Sequence, residues 1–352
     1  MVRSAPEPWL HEAFALTGVP AMVSRSEQKY LYWLTRTQWR DVGHVVEIGP
    51  WLGGSTLCLA RGMEASRQRS HRLHAFDNFI WRDFMARFEP LPIAAGDSFE
   101  PFFLRNVSAV RDYIVARSLT LPDEKIPGDA QAEEVRGSEA PAAVEFSWDA
   151  TEPIEILFVD GAKSWRGMRW LLKCVAPALI PGQTLFVCQD FKHWGSSWVP
   201  LMIARIEKQL ELIHVVQRGS TATFRLREAL DGAVIEALAD DVTKLDTESA
   251  LADLERMAIW IATKGDDVGA AHVRLGAVQL LCHHGRPEEA LARFEQIQSR
   301  WPLRGAKGQL HDARRYLEAR GSSPTPYRAW RNLLQRIGLG AGRERAIVRG
   351  TR

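Results

Sequence analysis

The segment VVEIGPWLGGSTLCLAR (residues 45–61) decides the fold of this chain. Its apolar start, Val45 to Ile48, predicts a buried strand, and the glycine-rich stretch that follows predicts a tight turn. Ser55 and Thr56 then begin a segment with helical spacing. The backbone N–H groups at the start of such a helix lack partners inside the helix, and they point at whatever lies beyond the strand end. The segment therefore predicts a strand, a glycine turn and a helix start that together hold a ligand.

Alternating strand and helix patterns flank this segment. The run IEILFV (154–159) is the clearest further strand, because a central parallel strand buried on both faces is nearly all apolar. The other predicted strands are 71–76, 113–121 and 184–188, with a hairpin formed by 211–217 and 222–226. The predicted helices are 24–40, 54–67, 164–176 and 199–209. This order predicts an α/β fold with a doubly wound, mostly parallel seven-stranded sheet, to which the hairpin adds one antiparallel edge strand.

Residues 47–56 follow the pattern E-x-G-x-x-x-G-G-S-T. Dinucleotide-dependent oxidoreductases favour G-x-G-x-x-G, and its absence here argues against that class. The pattern resembles the first motif of class I S-adenosylmethionine (SAM) methyltransferases, which share a Rossmann-like fold. The resemblance covers about residues 24–228; it also rests on Asp77, VDGAKSW (159–165), PGQTLFVCQD (181–190) and the closing hairpin.

The resemblance implies that SAM is the cofactor, with its amino-acid end in the loop after the first strand. Asp77 would then accept hydrogen bonds from both ribose hydroxyls; the alternative is that it only caps a helix. We interpret Gly49, Gly53 and Gly54 as positions where a missing side chain lets a ligand approach the backbone. Ligands of open α/β sheets bind beyond the carboxyl ends of the strands. The expected cofactor contacts are Glu47, Gly49, Pro50, Gly53, Ser55, Asp77, Asn78 and Asp160.

Asp160 and Lys163 follow the fourth strand with the D-x-x-K spacing of several metal-dependent O-methyltransferases. In catechol-type and caffeoyl-CoA-type enzymes the Asp is a metal ligand and the Lys can deprotonate the acceptor hydroxyl. A divalent cation prefers oxygen ligands and lowers the pKa of a bound hydroxyl. A lysine near that cation can have a depressed pKa and act as a base. Macrocin-type sugar O-methyltransferases instead place D-G-x-H-x-Y here, where this chain has Lys163 and Trp165.

The fifth strand ends in Gln189 and Asp190, followed by Phe191. Metal-dependent families usually show Asp-Asp or Asp-Asn at this point, so the departure leaves the metal open. The candidate ligands of Mg²⁺ or another divalent cation are Asp160, Asp190 and Gln189. His193 is a candidate base or third ligand, with a solvated loop histidine as the alternative. The catalytic candidates are therefore Asp160, Lys163 and His193.

The resemblance implies SAM-dependent O-methylation of a small-molecule hydroxyl, on a sugar or a natural product. Four aromatic residues could help to form a lid that excludes water, although residues at such helical spacing more often belong to a core: Phe79, Trp81, Phe84 and Phe88. The alternative function is a methyltransferase-like, non-catalytic binding or scaffold protein. The unusual Lys163, Gln189 and Phe191 motivate that alternative.

Strand signals stop after about residue 232, which predicts a methyltransferase domain over 1–232 and a helical extension over 233–352. The domain would contain a leading helix within 24–43 and a variable insertion at 78–150. The extension contains a helix pair at 270–303 that resembles one tetratricopeptide repeat. We expect the extension to be a docked helical appendage with a basic tail at 327–352, and it is a candidate surface for a protein partner or a homo-oligomer.

Composition also limits which other classes of protein this chain can belong to, such as nucleic-acid-binding, membrane or secreted proteins. The chain has 352 residues and a net charge of +2, which gives no global argument for nucleic-acid binding. No apolar stretch of about 18 residues occurs, so we expect no transmembrane segment. The N-terminus lacks the apolar region of a signal peptide, and the four cysteines form no C-x-x-C pair. These features predict a cytoplasmic protein, and the high alanine and arginine content suggests a bacterial one.

Overall fold

The computed structural model describes residues 7–15, 18–122, 145–300 and 307–321. They contain a seven-stranded sheet of order β3-β2-β1-β4-β5-β7-β6. The strands are β1 (His44–Ile48), β2 (Leu73–Asp77), β3 (Ile114–Ser118), β4 (Ile154–Val159), β5 (Leu185–Cys188), β6 (Leu210–Val215) and β7 (Ala222–Leu226). The neighbours from β3 to β5 all pair in parallel. The predicted doubly wound, mostly parallel seven-stranded sheet is confirmed.

The closing hairpin differs from the prediction in one respect. β7 runs antiparallel to both β5 and β6 and lies between them. The antiparallel strand is therefore internal, and β6 forms the edge. The chain after β5 passes to the outermost position first, and the tight turn over residues 216–221 then folds β7 back into the remaining place, with Val216 N–H donating to Thr221 O at 3.1 Å.

Ten α-helices are found in the described residues. They are α1 (Arg25–Thr37), α2 (Gly54–Ser66), α3 (Glu100–Asn106), α4 (Trp165–Val175), α5 (Trp198–Arg205), α6 (Gly232–Glu236), α7 (Thr247–Thr263), α8 (Asp267–His283), α9 (Pro287–Arg300) and α10 (Lys307–Gly321). Ser24 caps α1 as predicted: its Oγ accepts from Glu27 N–H at 3.3 Å, and Glu27 Oε2 accepts from Ser24 N–H at 2.8 Å.

The central strands are buried on both faces. Every residue of β1 and β4 is buried. Val46 and Leu157 belong to one hydrophobic cluster, whereas Val45 and Ile156 belong to the other. Because alternate side chains of a strand point to opposite faces, this division places one apolar layer on each side of the sheet.

The C-terminal helices pack into one of these two layers. Leu254 and Met257 of α7 and Leu280 of α8 share a cluster with Leu157 of β4. The predicted helix pair at 270–303 corresponds to α8 and α9, which are joined by a turn at Gly285 (φ +72°). The predicted basic tail (327–352) and most of the loop-like stretch 122–145 lie outside the described residues. In the part of the chain that the structure describes, no helix is long and apolar enough to cross a membrane.

Candidate active site

The loops after β1 and β4 touch through their backbones. Gly49 has a φ of +88°, and a Cβ at this position would lie 2.7 Å from Gly161 N. Asp160 N–H donates to Ile48 O at 2.8 Å, which fixes the two loops to each other. Gly49 is therefore required by its own left-handed conformation and by the close approach of Gly161. This contact places the glycine turn beside Asp160.

Left-handed backbone conformations are concentrated at the same edge of the sheet. Trp51 (φ +45°), Phe79 (φ +51°) and Asp190 (φ +59°) follow the ends of β1, β2 and β5. Such conformations are unfavourable for residues other than glycine, and they are found preferentially at functional sites. The strain therefore coincides with the edge at which the sequence predicts the site.

Glu47 and Ser55, both expected to contact the cofactor, lie next to each other and are hydrogen-bonded to each other. The fully buried Glu47 carboxylate accepts from Ser55 Oγ and Thr56 Oγ1, both at 2.6 Å. Burial raises the pKa of Glu47 to about 7, although the two hydroxyl donors act in the opposite direction. Glu47 thus ties the first turn of α2 to β1.

The start of α2 is packed on one side and uncapped at its end. A Cβ on Gly53 would lie 2.7 Å from Val107 Cγ1, and one on Gly54 would lie 2.5 Å from Ala21 Cβ. The space beside these two glycines is thus filled by the protein, which corrects our expectation that it admits a ligand. The N-cap residue of this helix, Gly53, provides no side-chain hydrogen bond. Its first-turn N–H groups therefore remain suited to an anionic group.

Asp77 and Asn78 form successive turns directly after β2. Asp77 Oδ1 accepts from Phe79 N–H at 2.9 Å, and Asn78 Oδ1 accepts from Ile80 N–H at 3.1 Å. Burial raises the pKa of Asp77, against the lowering effect of the backbone donors Phe79, Trp51 and Asn78. The next helical segment is the 3-10 turn at Asp83–Arg87, so Asp77 does not cap a helix. Through Trp51 its carboxylate is linked to the glycine turn.

Lys163 lies between two carboxylates. Its Nζ is 2.9 Å from Asp160 Oδ1 and 2.5 Å from Asp190 Oδ2. Burial alone would lower the pKa of Lys163, but attraction to the two carboxylates outweighs burial and raises it. Burial raises the pKa of Asp160, whereas Lys163 holds that of Asp190 below its usual range despite burial. Lys163 is therefore an ammonium group in this arrangement, not the neutral amine of a base.

The hairpin turn before β7 supports this triad. Ser220 Oγ lies 3.0 Å from Asp190 Oδ1, and Ser220 N–H donates to Glu27 Oε1 at 2.8 Å. Thr221 Oγ1 donates to the same Glu27 oxygen at 2.7 Å. Glu27 therefore both caps α1 and holds the hairpin turn at Ser220 and Thr221 in place. Sequence reasoning did not identify Ser220 or the second role of Glu27, since the stretch RGST signals only a turn.

The residues proposed as metal ligands do not fit a divalent cation as they are arranged. The position between Asp160 and Asp190 is taken by the Lys163 ammonium group. The third candidate, Gln189, donates from Nε2 to Ser220 Oγ at 3.1 Å, and its buried Oε1 has no hydrogen-bond partner among the described residues. No group of three or more His, Cys, Asp or Glu side chains suited to a metal occurs within the described residues. A positive charge is thus already present between these two carboxylates, on Lys163.

Comparison with protein families identifies the region that carries this site. Residues 46–191 match a family described as "Methyltransferase domain". These residues form a methyltransferase domain. The match runs from β1 to the end of β5, so it contains the glycine turn, Asp77, Asp160, Lys163 and Asp190. Together with the strand order, it confirms the prediction of a class I SAM-dependent methyltransferase.

Three of the solved structures to which this chain is similar are O-methyltransferases. NovP is 15% identical and covers 59% of this chain and 82% of its own, with a TM-score of 0.39. TomG from Streptomyces achromogenes, solved with SAM, is 14% identical with coverages of 58% and 82% and a TM-score of 0.35. The Bacillus cereus O-methyltransferase, solved with SAH, is 17% identical with coverages of 59% and 84% and a TM-score of 0.35. No curated protein matches the chain.

His193 lies three residues after Asp190, at the edge of the candidate site. Its Nδ1 accepts from Gly195 N–H at 3.2 Å, and burial lowers its pKa despite the nearby Asp190 carboxylate. A neutral ring whose Nδ1 accepts a hydrogen bond carries its proton on Nε2. His193 is therefore arranged to donate from Nε2, and taking up a proton requires the Gly195 contact to break.

The aromatic residues predicted as a lid divide into two groups. Phe79 and Trp81 are buried in the hydrophobic core on one face of the sheet. Phe88 is 40% exposed, and its ring centroid lies 6.3 Å from that of Trp51 on the glycine turn. Phe84 is half-buried. Of these four residues, Phe84 and Phe88 therefore remain candidates for a lid, and Phe79 and Trp81 do not.

Proposed function

We propose that this domain transfers the methyl group of SAM to a hydroxyl oxygen of a small-molecule acceptor, a sugar or a natural product. The observation that carries the proposal is the Asp160–Lys163–Asp190 arrangement, held beside the glycine turn by the Gly49–Gly161 backbone contact. Methyl transfer to oxygen requires an aligned acceptor and a place for its proton. This arrangement offers both next to the expected cofactor position.

In this proposal the cofactor lies across the ends of β1, β2 and β4. The first-turn N–H groups of α2, which are positioned by the turn at Pro50 and Gly53, hold the SAM carboxylate. Asp77 and Asn78 face the ribose, and Glu47 acts by holding Ser55 and the start of α2 in place. SAM supplies an electrophilic methyl group on a sulfonium that leaves as a neutral thioether.

Lys163 and Asp160 have different roles toward the acceptor hydroxyl, one as a hydrogen-bond donor and the other as a base. The Lys163 ammonium group donates a hydrogen bond to the acceptor oxygen and makes its O–H group more acidic. Asp160 takes the proton, since its raised pKa brings it closer to the range of a general base that works near neutral pH. The oxygen forms its bond to the methyl carbon as the carbon–sulfur bond breaks, and Asp160 then releases the proton to solvent. His193 donates from Nε2 to the acceptor.

We further propose that the reaction needs no divalent metal, because Lys163 occupies the position between the carboxylates. A domain over 1–232, an extension over 233–352 with a TPR-like helix pair, a bacterial source and a cytoplasmic location remain parts of this proposal. So does a protein partner or a second copy bound through the extension. No observation favours the non-catalytic scaffold over an enzyme.

Methyl transfer from labelled SAM to phenols, catechols, sugars and nucleotide sugars, each with EDTA or with Mg²⁺, tests the proposal. SAM binding by calorimetry is measured first. We expect binding, and methylation of at least one acceptor that EDTA leaves unchanged and Lys163→Gln abolishes. Lys173→Gln, which removes an exposed lysine of α4 that pairs with Glu236, is the control and should retain activity. Absence of SAM binding would overturn the proposal, and a requirement for Mg²⁺ would overturn its metal-free form.

A further inference from the structure

The loop after β5 is held by the C-terminal helices as well as by the sheet. The Lys192 ammonium group is 1% exposed and lies 2.5 Å from Asp266 Oδ2 and 2.7 Å from Val216 O. Asp266 is 5% exposed, and its other oxygen caps α8 by accepting from Gly269 N–H at 2.7 Å. A buried ion pair thus connects the start of α8 to the residue between Phe191 and His193.

Two glutamines from the same helices hold the next residues of this loop. Gln279 of α8 accepts from Ser197 N–H and Oγ at 3.1 and 2.6 Å and donates to Gly195 O at 2.9 Å. Gln309 of α10 accepts from Trp194 N–H at 3.0 Å. Since Gly195 also donates to His193, these contacts reach the histidine through the backbone.

Two titratable groups of the helices also lie near His193. Asp312 of α10 and His272 of α8 are close enough to interact electrostatically with it. Lys163 and Asp190 face it from the methyltransferase side. The ring of His193 is therefore placed between the catalytic strand ends and the C-terminal helices.

We propose that Asp266, Gln279 and Gln309 form a clamp that positions residues 190–197, with Asp266 as the principal positioning residue. The helical extension is then a structural part of the acceptor side of the active site, not a module appended to a complete enzyme. Only the assignment of this loop to the acceptor side rests on the proposed function. The contacts of the clamp are independent of it.

The charge on Asp266 is the feature to test. In Asp266→Asn the amide oxygen still caps α8, but the buried Lys192 ammonium loses the charge that compensates for its desolvation. Residues 190–197 should then open more often. Asp253→Asn is the matched control, because Asp253 is also buried (3% exposed) on the extension and pairs with Arg205 at 2.7 Å and Arg256 at 2.8 Å. Neither Arg205 nor Arg256 belongs to residues 190–197.

Hydrogen exchange of a peptide covering 189–198, followed by mass spectrometry, measures the opening. We expect Asp266→Asn to speed exchange there by about tenfold or more, and Asp253→Asn to leave it unchanged. SAM affinity should be unchanged in both, and with a methylated acceptor kcat should fall in Asp266→Asn at constant KM for SAM. Gln309→Ala, which removes one contact to the backbone, should give a smaller increase in exchange and serves if Asp266→Asn does not fold.

Equal exchange in the Asp266 and Asp253 variants, or unchanged exchange in both Asp266→Asn and Gln309→Ala, would overturn the clamp. The exchange measurement needs no acceptor. The proposed function can therefore fail while the clamp stands, and the reverse outcome is equally distinguishable.

Discussion

Glu47→Gln should remove a loss of stability that the wild-type protein shows as the pH rises from about 4.5 to about 7. The wild-type carboxyl is fully buried, and burial raises its pKa from 4.5 to about 7. A carboxyl group whose pKa is raised by folding stabilises the folded state fully below the unfolded pKa and loses that contribution as pH rises through the folded pKa. The shift corresponds to about 3 kcal/mol of unfolding free energy, lost between about pH 4.5 and pH 7.

Glutamine avoids this loss because it carries no charge at any pH. Its Oε1 can accept from one of the two hydroxyls of Ser55 and Thr56, and its Nε2 can donate to the other, so both contacts are kept. Relative to wild type, the variant should gain up to about 3 kcal/mol of stability between about pH 4.5 and pH 8.

Urea unfolding followed by tryptophan fluorescence at about pH 4.5, 6 and 8 measures this difference. Glu295→Gln, at an exposed position of α9, is the control and should show a pH dependence like that of wild type. A stability difference between Glu47→Gln and wild type that stays constant across this pH range would refute the reasoning.

Three further predictions concern the site. Asp77→Asn should weaken SAM binding by about tenfold in calorimetry, because a charged acceptor of the ribose hydroxyls is lost; unchanged affinity would contradict its proposed role. Gly49→Ala should cost at least about 2 kcal/mol more in unfolding free energy than Gly182→Ala, because both glycines have positive φ but only Gly49 faces Gly161 within 3 Å. Lys163→Met should reduce methylation by about 100-fold or more without rescue by Mg²⁺, whereas rescue would indicate that a metal can take its place.

The sheet could be predicted from sequence because its signals are local. The run IEILFV and the E-x-G-x-x-x-G-G-S-T turn each show their structure within about ten residues. The position of β7 was not predictable in this way. β7 pairs with β5 only because β6 takes the outer position in the sheet. That choice depends on packing across the sheet, so the hydrophobic pattern of residues 222–226 does not reveal it.

The candidate residues of the site were predicted by position, but their partners were not. Strand ends that carry Asp77, Asp160 and Asp190 meet at one edge because the strands are parallel. Whether Lys163 acts as a base beside a metal or as an ammonium group between carboxylates depends on Asp190, 27 residues away. The spacing D-x-x-K is compatible with both arrangements.

The domain boundary that the sequence motifs suggest differs from the boundary that the contacts in the structure suggest, and the C-terminal helices show why. The methyltransferase match ends at residue 191, one position before Lys192, whose counter-charge Asp266 lies 74 residues further on. The Lys192 ammonium group would be strongly unfavourable in its buried position without that carboxylate. The residues of the family match therefore do not by themselves determine where the loop after β5 lies. A family motif marks the residues that meet the cofactor. The residues that keep an adjoining loop in place can lie anywhere that packing brings them, and here it brings them from the helices after the sheet.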